Sequence, residues 1–151
     1  MSTWRRYTPF ILLAGDVLAL LLFVAVGQRD HDLVDAANPL GRLLLVTASF
    51  VAPWVIAGWL LGAFPRSEAV SARMLLARSL NTWLVAAPLG VLVRAYLLGL
   101  VVVTRMFLVA GLAFGGLFLF IWRAAFLLVW SWLGRRAEAK QSESAVSASS
   151  Q

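Results

Sequence analysis

The sequence predicts an all-α integral membrane protein, a four-transmembrane-helix bundle with both termini cytoplasmic and a disordered C-terminal tail. Of its 151 residues, 62% are hydrophobic and only 13% are charged, against about 45–50% and about 25% in soluble domains. The mean hydropathy is +0.87. The apolar residues also form long blocks, and a spanning helix needs roughly 20 of them to cross about 30 Å of hydrocarbon.

The first two apolar blocks have clear ends. The first predicts a helix over about residues 9–27, in which Asp16 is the only charge. This block exceeds the roughly 7–15 apolar residues of a signal peptide, and a carboxylate interrupts it. We therefore expect a retained helix rather than a cleaved signal. The second block predicts a helix over about residues 43–64.

The third and fourth helices must be separated within one long apolar stretch. Residues 80–133 are too long for one span. Their only charges are Arg94, Arg105 and Arg123. We expect the chain to turn within residues 98–105, where glycine permits a tight turn and an arginine can reach the headgroups. The predicted helices are then about 80–98 and 104–133.

A slightly earlier turn is the alternative. The third helix would then stop at Tyr96, and the fourth would start near Leu100. The connection is apolar in both cases, so we expect it to lie at the membrane interface rather than in bulk water.

The end of the sequence is polar and rich in serine. Residues 134–151 carry too little apolar surface to offset the entropy lost on ordering. We expect a disordered tail after a membrane domain that covers residues 1–133.

Basic residues are distributed unevenly between the two ends of the predicted helices. With the N-terminus inside, the cytoplasmic side holds Arg5, Arg6, Arg66, Arg73, Arg78, Arg135, Arg136 and Lys140, and the outer side holds Arg29, Arg42 and Arg105. Because short cytoplasmic loops carry the excess of arginine and lysine, eight against three predicts that both termini are inside. The net charge of +6 thus indicates membrane orientation rather than nucleic-acid binding.

Asp16 lies in the hydrocarbon, where a carboxylate costs several kcal/mol unless it is neutral, paired or in contact with water. Depth distinguishes its two possible partners. Asp16 and Arg123 lie about 10 Å and roughly 15 Å from the same membrane edge, whereas Arg94 lies nearer the opposite face. We therefore expect Asp16 to pair with Arg123. Arg94 would contact either an acid of the outer loop or the headgroups.

Two roles for Asp16 stay open at this level. In the first, the ion pair fixes helix register and does nothing else. In the second, Asp16 lines a polar path with Arg123 or Arg94, because intramembrane carboxylates are candidates for function by default.

Small residues recur at a spacing of four in every predicted helix. The pairs are Gly15 with Ala19, Gly58 with Gly62, Ala86 with Gly90, and Gly111 with Gly115. Residues four apart share a helix face, and small ones permit close helix contact. The pattern favours a compact bundle and indicates no particular oligomer.

The outer loop holds the only histidine. His31 stands between Asp30 and Asp32, but a defined metal site needs three or four convergent ligands. We expect an exposed loop histidine and keep His31 as the weaker candidate site. Cysteine is absent, which excludes thiolate chemistry. With no phosphate-binding loop and no Ser–His–acid arrangement, we expect no catalytic residues, cofactor or metal.

Several motifs, taken in order, resemble a bacterial and archaeal family known as domain of unknown function three-zero-five-four. They are Gly15-Asp16, Gly27, His31, Pro53, Gly58-Trp59, Trp83, Pro88-Leu89-Gly90, Arg94 and Trp122-Arg123. The chain departs from the family pattern at Trp54, where the family has phenylalanine, and in its more apolar connection before the fourth helix. The resemblance implies a small multi-pass protein of the bacterial or archaeal plasma membrane and supplies no activity.

The sequence favours a non-enzymatic accessory or scaffold component of a membrane complex, because four short helices enclose little volume. The alternative is a small transporter or permease component that uses the intramembrane charges. The expected partners are the lipid bilayer and other membrane proteins or further copies of the chain, not nucleic acid.

Overall fold

The computed structural model describes residues 3–30, 38–65, 71–100 and 105–149. Over these residues the chain forms α1 (Thr3–Asp30), α2 (Pro39–Leu61), α3 (Ala72–Leu97) and α4 (Arg105–Ser149), and no strand. Each helix contains a segment that is long and apolar enough to cross a membrane. The fold class predicted from the sequence, an all-α bundle of four membrane helices, is confirmed.

The four helices are arranged in a ring in chain order. α1 contacts α2 and α4, and α3 contacts the same two helices. Among the described residues, no Cα atoms of the diagonal pairs approach within 8 Å. Side chains therefore fill the centre of the ring. The starts of α1 and α3, the end of α2 and the end of the α4 membrane span lie at one end of the bundle, here called the terminal end, and the opposite helix ends lie at the distal end.

α2 and α3 begin earlier than the apolar blocks indicate. The side chain of Asn38 precedes α2 and accepts a hydrogen bond from the Gly41 amide at 2.8 Å. Ser71 caps α3 in the same way by accepting from the Met74 amide at 3.3 Å. The predicted bounds followed hydropathy, whereas the helices begin at polar caps that satisfy their first amides.

The turn between α3 and α4 lies at the first of the two positions considered. α3 ends at Leu97, Gly99 has a φ of +64°, and α4 begins at Arg105. The left-handed backbone at this position suits glycine, which has no Cβ to clash. Residues 101–104 of the connection lie outside the described residues.

α4 continues well past the last membrane span, which ends at Leu133. The tail expected to be disordered is instead helical as far as Ser149. Its residues include many Ala, Glu, Lys and Gln, which are strong helix formers, and no proline. Apolar content alone does not predict this helix, because a helix that is already nucleated upstream extends at little cost.

Several of the small residues make room for aromatic rings rather than for a neighbouring backbone. A Cβ added to Gly115 would lie 2.6 Å from the Trp83 ring, and one added to Gly15 would overlap the Trp122 ring. Gly111 differs, because its nearest neighbour would be a Val91 methyl group at 4.0 Å. Ring-on-glycine contacts therefore account for part of the predicted small-residue pattern.

Candidate functional site

Asp16 and Arg123 form a two-point ion pair inside the bundle. Nη2 of Arg123 donates to Oδ2 of Asp16 at 2.6 Å, and Nε donates to Oδ1 at 3.1 Å. Both side chains are completely buried. Parallel donors match the two carboxylate oxygens in direction as well as distance. The pair therefore fixes the orientation of α1 against α4.

Trp54 joins α2 to this pair. Its indole Nε1 donates to Oδ2 of Asp16 at 3.0 Å. The centre of its ring lies 5.0 Å from Cζ of Arg123, and the Phe64 ring lies 5.4 Å from the same atom. Trp54 thus donates to the anion with its polar edge and contacts the cation with its π face.

The remaining contacts of Arg123 come from the α2–α3 region. Nη1 donates to the Ala63 carbonyl at 2.9 Å and to Oγ of Ser79 at 2.5 Å. The Ala63 carbonyl is available because α2 ends at Leu61 and the capping Gly62, with a φ of +71°, turns the chain out of the helix. Ser79 in turn donates to the Leu75 carbonyl at 2.6 Å. All four helices thus support one charge network.

We define the charge network as Asp16, Arg123, Trp54, Ser79 and the Ala63 carbonyl. Four of the five N–H donors that a guanidinium carries are used, as are both carboxylate oxygens. No atom of the network belongs to the buried polar atoms that lack a partner among the described residues. A buried ion pair is tolerated when such hydrogen bonds offset its desolvation. The charge network therefore has the hydrogen bonding expected of a buried ion pair that holds helices together.

An apolar layer covers the charge network on its distal side. It consists of Leu20, Phe50 and Leu119, which are at most 1% exposed. Each lies four residues, or about 6 Å of helix axis, beyond Asp16, Trp54 or Arg123. Closely packed hydrocarbon at this level interrupts a polar path from the charge network to the distal end.

Arg94 is not part of the charge network. It lies in the last turn of α3, 15 residues beyond Ser79, which corresponds to about 22 Å along the helix axis. The structure therefore brings together two of the three charges that the sequence singled out. Arg94 instead lines a cavity at the distal end, in agreement with its predicted depth.

The outer-loop candidate lies outside the described residues. His31, Asp32 and Asp35 belong to residues 31–37, and the structure describes none of them. Among the residues that it does describe, no group of three or more His, Cys, Asp or Glu side chains could hold a metal ion. The expected role of His31 stays a prediction.

The sequence predicted that Asp16 and Arg123 pair, but it did not predict the groups that hydrogen-bond to them. Trp54 could have been found by depth, because it lies ten residues before residue 64, the end of the predicted second helix, or about 15 Å, which matches Arg123. Ser79 carries a weaker signal, because it lies one residue before the predicted third helix and next to Arg78. The Ala63 carbonyl carries none, since every residue has a carbonyl and only the turn at Gly62 releases this one.

Comparison with known proteins gives a family and no activity. No curated protein and no solved structure matches the chain. One family pattern, described as protein of unknown function (DUF3054), matches residues 13–126. The matched segment includes every residue of the charge network and most of the four membrane spans. The chain therefore belongs to the DUF3054 family.

Proposed function

We propose that this protein is a non-enzymatic accessory or scaffold component of a membrane complex. The observation that carries the proposal is the closed charge network, in which both Asp16 oxygens and four Arg123 donors bind groups of the chain itself. A catalytic or transport site must leave polar atoms free for its substrate. Here Asp16 and Arg123 are used to hold four helices together.

The extension of α4 supports the same proposal. Residues 134–149 continue the helix beyond the span that ends at Leu133. Sixteen residues at 1.5 Å each add about 24 Å of helix on the terminal side of the membrane. Such an extension can contact the aqueous part of a membrane partner while the bundle stays in the bilayer.

The proposal is tested by isolating the tagged full chain from its own membranes in a mild detergent. We expect one membrane protein to copurify at a constant molar ratio. A matched variant replaces residues 137–149 by a Gly–Ser segment of equal length, which keeps the bundle and removes the helical extension. The partner should fall at least tenfold in that variant. Recovery of the chain without any partner at a constant ratio contradicts the proposal.

A small transporter is the second candidate, favoured by the distal cavity that reaches into the bundle. The apolar layer of Leu20, Phe50 and Leu119 is the argument against it. Vesicles that contain the purified chain distinguish the two candidates. Solute uptake that is lost in Asp16→Asn, while thermal stability is kept, would favour the transporter. Absence of uptake together with a retained partner favours the accessory role.

A further inference from the structure

The distal cavity has a volume of about 220 Å³ and is bounded by all four helices. Most of its wall is apolar, and its aromatic residues are Phe23, Phe50, Phe114 and Phe118. The volume exceeds the roughly 150 Å³ of an apolar cavity that takes up benzene. It falls short of the roughly 300–1,000 Å³ of sites that enclose a drug-sized ligand. The cavity therefore suits one hydrocarbon segment rather than a whole ligand.

Three polar side chains also line this cavity, namely Gln28, Arg42 and Arg94. Arg42 and Arg94 place two guanidinium groups on the wall of one cavity. Nε2 of Gln28 is buried and has no hydrogen-bond partner among the described residues. An anionic oxygen in the cavity would accept hydrogen bonds from these guanidinium groups and from the Gln28 amide. The two guanidinium groups carry only donors, and Nε2 of Gln28 is a donor, so these atoms select an acceptor.

The polar and apolar parts of the cavity lie at different depths. Gln28, Arg42 and Arg94 each lie within four residues of a distal helix end, which is the level of the headgroups. Phe23 lies five residues before Gln28, or about 7 Å deeper. A molecule with an anionic head and a hydrocarbon chain is likewise polar at the level of the headgroups and apolar deeper in the membrane.

The cavity is open to the lipid-facing surface. Val26 of α1 and Phe114 of α4 line it and are 55% and 58% exposed. These two helices are neighbours in the ring. A membrane amphiphile can therefore enter sideways between α1 and α4, without crossing the aqueous phase.

We propose that the distal cavity binds the anionic head and adjoining chain of a membrane amphiphile whose head is a carboxylate or a phosphate. Arg42 and Arg94 donate to the anionic oxygens, and the Gln28 amide adds a further donor. The aromatic wall contacts the first part of the acyl chain. This binding site is separate from the charge network and does not depend on the proposed accessory role.

The test uses the full chain in a neutral maltoside detergent at alkaline pH, where fatty acids are ionised. The probes are oleate, dioleoylphosphatidylglycerol and monoolein, which has the chain of oleate without its charge. Native mass spectrometry gives the bound fraction of each. We expect at least one of the two anionic probes to bind tenfold more tightly than monoolein. Oleate alone would identify a fatty acid as the ligand, and phosphatidylglycerol would identify a lipid phosphate.

Two arginine variants test which charges matter. Arg42→Gln should weaken binding of the anionic probe about tenfold, the effect of losing one charge-assisted hydrogen bond. Arg29→Gln is the matched control, because Arg29 is exposed at the same end and does not line the cavity. Equal binding of anionic and neutral probes, or equal loss in both variants, would overturn the proposal.

A second pair of variants tests the cavity itself without changing its charges. Ala110 and Ala113 lie three residues apart on α4 and are both exposed, but only Ala110 lines the cavity. Ala110→Phe should reduce binding at least tenfold by filling the space, and Ala113→Phe should leave it unchanged. Unchanged binding in a folded Ala110→Phe variant would place the amphiphile elsewhere and overturn the proposal.

Discussion

At the residue scale, two buried tryptophans donate hydrogen bonds to acceptors of different charge, so these bonds should contribute different amounts to the free energy of unfolding. Trp54 Nε1 donates to the Asp16 carboxylate at 3.0 Å, and Trp83 Nε1 donates to the neutral Leu112 carbonyl at 2.9 Å. Both side chains are at most 2% exposed, and their rings contact each other with centroids 6.0 Å apart. The two positions therefore form a matched pair that differs mainly in the acceptor.

Trp54→Phe is expected to destabilise the protein more than Trp83→Phe. Loss of a hydrogen bond to a charged group costs about 1.5–3 kcal/mol, against about 0.5–1.5 kcal/mol for a neutral one. Both variants keep an aromatic ring and lose similar volume, so cavity effects largely cancel. Reversible unfolding in mixed detergent micelles measures the difference. Equal losses would mean that the carboxylate is not the acceptor that matters.

The sequence was sufficient to predict the ion pair but not all of the groups that bind it. Helix depth was enough to match Asp16 with Arg123, since antiparallel helices place equal depths side by side. Depth could not predict the Ala63 carbonyl, because its release depends on the left-handed backbone of Gly62. Groups that become available through backbone geometry carry no residue-type signal.

At the element scale, the helices are joined by rings set against glycines. Gly111 and Gly115 lie one turn apart on α4 and are both buried. A Cβ on Gly115 would lie 2.6 Å from the Trp83 ring, which is itself fixed by its hydrogen bond to Leu112, whereas the nearest atom to a Cβ on Gly111 is at 4.0 Å. The spacing of four predicted close helix contact at both glycines. Only the neighbouring side chains in the folded bundle show that Gly115 is obstructed and Gly111 is not.

We expect Gly115→Ala to destabilise the bundle and Gly111→Ala to leave it unchanged or stabilise it. Overpacking a filled site costs about 1–3 kcal/mol, while replacing an unobstructed helical glycine by alanine gains up to about 1 kcal/mol. Thermal denaturation followed by tryptophan fluorescence compares the two variants. A loss at Gly111 as large as that at Gly115 would contradict the ring-on-glycine contact.

Helix existence was predictable at this scale because each apolar block is long enough to span. Helix ends were not, because caps such as Asn38 and Ser71 lie outside those blocks. The extension of α4 was missed for a related reason. Hydropathy reports where a helix enters lipid, whereas propensity and caps determine where it begins and ends.

At the scale of the whole molecule, the distribution of basic residues predicts that the terminal end faces the cytoplasm. The sequence contains no cysteine, so single introduced thiols can report orientation without background. Ala72, at the start of α3, and Arg105, at the start of α4, are both exposed and lie at opposite ends. Replacing Arg105 removes an outer charge and so preserves the positive-inside bias.

A membrane-impermeant maleimide should label Arg105→Cys in intact cells and Ala72→Cys only after permeabilisation. Labelling both variants after permeabilisation is the control for thiol accessibility. The reverse pattern in intact cells would show that the bundle has the opposite orientation.

The central claim concerns the whole molecule as well, since the charge network connects all four helices. The measurement that tests it most directly is a double-mutant cycle of unfolding free energy with Asp16→Leu, Arg123→Leu and their combination. Each single change leaves a buried charge unpaired and should cost about 3–5 kcal/mol. The combination should cost less than the sum of the two single losses, because it leaves no unpaired charge and only the Trp54 indole and the Ala63 carbonyl unsatisfied, at about 1–3 kcal/mol each. Additive losses, or single variants as stable as the natural chain, would contradict a structural role for the pair.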